Sequence, residues 1–196
     1  MGSGISHPVM NPILTDSLCT RCGLCCDGSL FADVELAGTD EATALEILGL
    51  EIEDAEAEDG ALLEQPCAAL NGKRCGIYLH RPECCRTFEC QLLQEVRDGS
   101  VGISAARARI AETLRQIERV KKLLAQLGQS NQRLPLKECC VAALGHAEEA
   151  TTDPKLKRKR AELARAMASV ECLIQRNFLG GWGRGKNQRA SASAMQ

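Results

Sequence analysis

The sequence predicts an α+β fold: a small metal-stapled cysteine-rich knot with short strands, followed by a mainly helical C-terminal half. Three observations carry that expectation. Cys19, Cys22, Cys25, Cys26, Cys67, Cys75, Cys84, Cys85 and Cys90 crowd the first half of the chain. Short strand-like runs and an Asn71-Gly72 hairpin signal lie among them. Beyond Ser104, apolar residues recur at three- and four-residue steps, the period of an amphipathic helix. The division expected is a flexible N-terminus (1–18), a cysteine-cluster metal-binding domain (19–128), a helical extension (129–179) and a disordered Gly/Ser/Ala-rich tail (180–196).

Taken in order, CTRCGLCC (19–26) follows the lead-in and FADVEL (31–36) reads as a short strand. TDEATALEILG then reads as a helix, with Thr39 or Asp40 as cap, Leu45 and Leu48 on one side, and Gly49 as terminator. The acidic stretch EIEDAEAEDG reads as a solvated loop or edge strand, because it lacks the ordered ligand spacing of a calcium loop. In PCAALNGKRCGIYLHRPECCRTFEC (66–90), the Asn71-Gly72 turn places Cys67 and Cys75 on paired strands. From Pro82 the chain turns towards a helix containing Leu92, Leu93 and Val96 and ending near Gly99. Cys90 falls in its first turn, where unpaired N–H groups favour a thiolate. A long helix carries Ile110, Leu114, Ile117, Val120, Leu124 and Leu127 up to Gly128. Another starts at Asp153-Pro154, with Leu156, Leu163, Met167, Val170 and Ile174 as its stripe.

Composition limits the possible functions. Apolar residues make up 44% and charged residues 26%, an ordinary globular balance, and the net charge of -2 provides no field for nucleic acid or anionic membrane. Aromatics are 3%, so any core is built from smaller side chains and is lean. No run is long enough for a signal peptide or a membrane span. The expectation is a soluble cytoplasmic protein, where vicinal thiols more often hold metal than pair with each other.

A C-x-x-C turn can bring two sulfurs to one tetrahedral metal. CTRCGLCC contains two such overlapping turns, Cys19/Cys22 and Cys22/Cys25, followed by Cys26. Adjacent side chains do not easily aim at one ion. Cys25 and Cys26 therefore serve different metals, a polynuclear cluster, or one ligand role and one structural role. Arg21, Lys73, Arg74, Arg81 and Arg86 lie beside the cysteines and can balance thiolate charge, though each alone reads equally well as a surface charge.

CxxCGxCC (19–26), PCxxL (66–70), CxIY (75–78) and RPxxCRxFxC (81–90) together resemble the CxxCxxCC family of zinc- or iron-chelating domains. The resemblance spans about residues 17–125 and implies metal ligation by Cys19, Cys22, Cys25, Cys26, Cys67, Cys75, Cys85 and Cys90. The implied cofactor is iron, as an ion or an iron–sulfur cluster, or zinc. Some relatives carry this domain in flagellin lysine methylation, which keeps an enzymatic reading open. The chain departs from the pattern in having four further cysteines, Cys84, Cys139, Cys140 and Cys172. They are enough for a second site, but buried spare cysteines are common. Cys172 lies opposite the apolar stripe of its helix, towards solvent or a small-residue groove.

Weaker signals add little. His80 reads as a surface or outer residue given the surplus of sulfurs, and His7 and His146 carry no motif. No GxSxG, P-loop, Rossmann fingerprint or HExxH occurs. The run KLKRKR (155–160) reads as a solvated helix face, without the aromatics that stack on bases. The expected function is thiolate binding of iron or zinc, with no membrane or nucleic-acid partner. The alternatives are a cluster-dependent enzyme (methyltransferase-like or redox), which needs a neighbouring pocket, a zinc-stabilised interaction module, and a thiol-redox protein.

Overall fold

In a computed structural model, residues 12–54, 60–129, 131, 133–145 and 153–180 are described. His7, His146 and the tail from 181 onward lie outside them, as does the lead-in up to residue 11. The chain is α+β, with a mainly helical C-terminal half.

The first helix, α1, covers Pro12–Cys22, so the end of the expected lead-in is helical and Cys19 and Cys22 fall in its last turns. Proline is well tolerated at a first helical position, where its missing N–H has no partner to lose. The helix carries no apolar stripe; it packs on later helices, with Leu18 buried among them. Strand β1 (Asp33–Glu35) lies within the expected FADVEL run. Helix α2 (Thr39–Ile47) is preceded by Gly38 rather than capped by Thr39 or Asp40, and Glu41 Oε2 instead accepts the Ala37 N–H at 2.8 Å. Leu45 is buried but Leu48, in the terminating turn before Gly49, is exposed. Part of the acidic stretch forms β2 (Glu53–Asp54), an edge strand of an antiparallel sheet ordered β1-β3-β2, with β3 at Ala61–Glu64.

The hairpin is shifted by one residue from its expected position. β4 (Leu70–Asn71) pairs with β5 (Arg74–Cys75), so Gly72-Lys73 form the turn and Asn71 pairs with Arg74. Cys75 faces Leu70 in the ladder, whereas Cys67 precedes the strand. After a 3-10 turn at Tyr78–His80, the single expected helix is two: α3 (Glu83–Thr87) and α4 (Gln91–Arg97). Phe88 leaves helical geometry at ψ 125 and Cys90 at ψ 157, which breaks the run.

The long helix α5 (Ile103–Gln126), α6 (Leu136–Gly145) and α7 (Pro154–Ile174) form the C-terminal half. Asp153 caps α7 by accepting the Lys155 N–H at 2.8 Å. Ile110, Ile117, Val120 and Leu124 of α5 meet Leu163, Met167, Val170 and Ile174 of α7 in the larger of two cores. The chain then closes through a π-helical turn, Gln175–Leu179, that buries Phe178. The second core, under the three-stranded sheet, has only Leu45, Leu50 and Leu63 at its centre. No helix among the described residues is long and apolar enough to cross a membrane.

Leu163 is fully buried and Ile47 is 81% exposed. Leu163→Ala should cost about 2–5 kcal/mol in urea unfolding, while Ile47→Ala should stay within about 0.5 kcal/mol. Equal costs would refute the placement of the core.

Candidate metal centre

Two distant lengths of chain meet at the cysteines. Leaving α1, the Gly23 N–H donates to Cys19 O at 3.3 Å, and Gly23 O accepts from Cys26 and Asp27 N–H at 2.9 and 3.0 Å. Gly23 has a φ of +73, and a Cβ there would stand 3.3 Å from Lys73 Cα. A glycine therefore lets the β4–β5 turn press against this loop. Gly28, at φ +74, is pinned from the other side: a Cβ would lie 3.0 Å from Pro135 Cα, and Gly28 O accepts the Leu136 N–H at 3.0 Å.

The tie to the second length is a backbone hydrogen bond. The Cys67 N–H donates to Cys26 O at 2.9 Å and also reaches Gln65 Oε1 at 3.1 Å. Gln65 is itself buried, and its N–H donates to Ala32 O at 2.8 Å. Arg81 covers the same region: it lies 3.9 Å over the Tyr78 ring, donates to Tyr78 O at 3.2 Å and reaches Cys85 O at 3.5 Å. Phe88 packs edge-on to Phe31, with centroids 5.1 Å apart.

The thiols placed by this scaffold influence one another. Cys22 is pushed up to about 12, chiefly by burial, with Cys90 and Cys19 adding to the rise and a contact from Leu24 N–H opposing it. Cys25 is raised well above its ordinary value, first by burial, then by Cys22, Cys90, Cys26 and Cys19. Cys26 is pushed up to about 12 by burial and then by Cys67 and Cys75, while Arg81 lowers it. Burial also raises Cys67, opposed by the N–H groups of Ala69 and Leu70, with Cys75 raising it. Cys85 is raised by its hydrogen bond with Cys84, then by burial, and also by Cys26 and Cys67. Cys90, immediately before α4, is raised by burial and lowered by the N–H groups of Leu93 and Leu92. The helix-terminal setting expected for Cys90 is thus present, one residue before the helix rather than inside it.

All eight cysteines implied by the resemblance are described, and each lies within electrostatic reach of another member of the set. Their chemistry fits zinc or iron: soft sulfur donors, with backbone N–H groups directed at Cys22, Cys67 and Cys90. Among the described residues, however, no group of three or more His, Cys, Asp or Glu side chains is disposed to hold a metal ion as it stands. Burial favours the neutral thiol at Cys22, Cys25, Cys26, Cys67 and Cys90, and coordination would require these to lose their protons.

The four surplus cysteines do not come together. Cys84 hydrogen-bonds with Cys85. Cys139 and Cys140 are buried in the larger core, where the Cys139 thiol donates to Asn131 O at 3.3 Å. Cys172 is exposed on α7, the solvent alternative of its two expected settings. His80 is exposed on the 3-10 turn. One contributor had no sequence signal: Gln65, a polar residue before a proline.

A family model, CxxCxxCC, described as "Putative zinc- or iron-chelating domain", matches residues 18–123. No curated protein and no solved structure matches the chain.

Burial pushes Cys140 up to about 11 from an ordinary 9.0, leaving roughly 100-fold less thiolate at neutral pH than an ordinary cysteine. In the folded chain, iodoacetamide should therefore modify exposed Cys172 more than roughly tenfold faster than Cys140. Peptide mapping that finds similar rates would contradict the buried placement of α6.

Proposed function

Because the chain belongs to the CxxCxxCC family of zinc- or iron-chelating domains, we propose that it holds zinc or iron, as an ion or an iron–sulfur cluster, through Cys19, Cys22, Cys25, Cys26, Cys67, Cys75, Cys85 and Cys90. One observation carries this reading. The Cys67-to-Cys26 backbone bond brings cysteines some forty residues apart in the chain back against one another, in a setting that disfavours their charge. Uncompensated thiolates there are costly. A bound cation would supply the missing positive charge.

The chain's own groups prepare for that charge. Leu24, Ala69, Leu70, Leu92 and Leu93 present N–H groups to sulfurs, and Arg81 faces Cys26. Such donors lower thiolate energy without competing for the metal. Uptake at neutral pH releases protons, because Cys22 and Cys26 hold theirs up to about 12. A cytoplasmic setting belongs to the same reading, supported by unbridged Cys25, Cys26, Cys67 and Cys75.

The catalytic alternative needs a pocket beside the thiols. A cleft of about 280 Å³ is lined by Phe88, Glu89, Gln91 and Phe178, and Cys90 itself is not part of its lining. It lies slightly below the roughly 300–1,000 Å³ of small-molecule sites. Chelation is the reading that the geometry supports best.

The decisive experiment measures metal and acid-labile sulfide in untagged protein purified without oxygen, together with its visible spectrum. Iron with sulfide, or zinc without colour, would support chelation; neither metal in a folded protein with free thiols would refute it. Metal removal should also deprotect β1 and β3 amides in hydrogen exchange while α5 and α7 keep theirs. The small core has three buried leucines, whereas a structural zinc contributes roughly 10–16 kcal/mol. Unchanged protection at β3 would show that the sheet does not depend on metal.

A further inference from the structure

We propose that the eight cysteines form two separate four-thiolate centres, one from Cys19, Cys22, Cys25 and Cys90, the other from Cys26, Cys67, Cys75 and Cys85. The proposal rests on the chelation reading and adds number and membership to it.

The first support is where the thiols sit relative to the two cores. Cys22 and Cys90 pack against the large helical core, while Cys67 packs against the small core under the sheet. Helix α1 touches both α4 and β5, so the segment that ends at Cys22 meets an element of each half of the cysteine region. Cys25 and Cys26 are consecutive residues of the loop that follows. Cys26 is tied by its carbonyl to the Cys67 N–H at 2.9 Å, on the side of the small core, whereas α1, which ends at Cys22, contacts α4, which follows Cys90.

The second support is the pattern of mutual influence. Cys22 is affected by Cys90 and Cys19, and Cys25 by Cys22, Cys90 and Cys19. Cys26 is affected by Cys67 and Cys75, Cys67 by Cys75, and Cys85 first by its hydrogen-bonded neighbour Cys84 and then by Cys26 and Cys67. Among these strongest influences, the link between the sets is Cys26 on Cys25, adjacent in the chain. Each set contains four sulfurs, the number a tetrahedral zinc or a common iron–sulfur cluster takes from protein.

The backbone tie explains why the division falls between residues 25 and 26. The Cys67 N–H holds Cys26 O, which fixes residue 26 beside the hairpin segment. Cys90 is delivered separately, by α4, to the side where α1 ends. The first centre would then join α1 to α4. The second would join the exit loop to the hairpin and α3.

The test is a titration of the reduced, metal-free full chain with cobalt(II) under anaerobic conditions, following thiolate-to-cobalt absorption. The wild-type chain should saturate at two equivalents with an unchanged band shape. C90S and C67S should each saturate at one equivalent, and the double variant should bind none. Saturation of the wild-type chain at one equivalent, a band shift at the second equivalent that marks shared sulfurs, or loss of all binding in either single variant would overturn the division. These outcomes leave chelation intact. Absence of any cobalt–thiolate absorption would overturn chelation as well. If a variant fails to fold, the wild-type endpoint and band shape alone decide.

Discussion

The architecture turns on the burial of thiols beside one another. Cys22, Cys25, Cys26 and Cys90 lie where burial is the largest influence on their protonation, and it favours the neutral form. Neutral thiols tolerate such a site as small hydrophobes do. Adjacent thiolates do not, because their charges repel and neither is solvated. A cation reverses the balance, turning a destabilising cluster of charges into the ligands of a centre. The loop geometry at Gly23 and Gly28 and the Cys67-to-Cys26 bond hold the thiols in this arrangement.

The two cores are unequal, with Cys22 and Cys90 packed against the larger and Cys67 against the smaller. The helical core draws on α1, α4, α5, α6 and α7 and includes Phe178, while the sheet core centres on three leucines. A chain with few aromatic residues has little with which to enlarge the smaller core. Closing a loop of about forty residues by metal costs little more entropy than closing one of half that length. A staple between residues 26 and 67 is therefore an inexpensive substitute for apolar area.

Legibility in the sequence followed the strength of local signals. Helices α5 and α7 were readable because Ile110, Ile117 and Val120, and Leu163, Met167 and Val170, mark one face at helical spacing. Helix α1 was not, since it has no such stripe and is ordered by the helices packed on it. The Asn71-Gly72 signal announced a hairpin but not its register, because Gly72 at φ +63 serves equally as the first turn residue. The break between α3 and α4 had no proline or glycine to announce it. The four motifs pointed to eight thiols, and adjacency left Cys25 and Cys26 open to different metals, one polynuclear cluster, or one ligand role and one structural role. The proposed division between them draws on the fold, in which Cys90 packs against the larger core and Cys67 against the smaller.

Charge distinguishes the two proposed centres further. Four thiolates around one divalent cation leave a net charge of about -2, which a partly buried site must offset. At the Cys26 set, Arg81 supplies a full positive charge, held in place by the Tyr78 ring and by the carbonyls of Tyr78 and Cys85. At the Cys90 set, the recorded lowering influences on Cys22 and Cys90 are backbone N–H groups, those of Leu24, Leu92 and Leu93 foremost among them. A guanidinium can neutralise charge outright, whereas amide dipoles only solvate it. On these influences the proposed Cys90 centre would meet less compensating positive charge from Arg81 than the Cys26 centre. Were both proposed centres to hold the same kind of iron–sulfur cluster, a charge difference of that sign would favour the lower reduction potential at the one with less compensating positive charge.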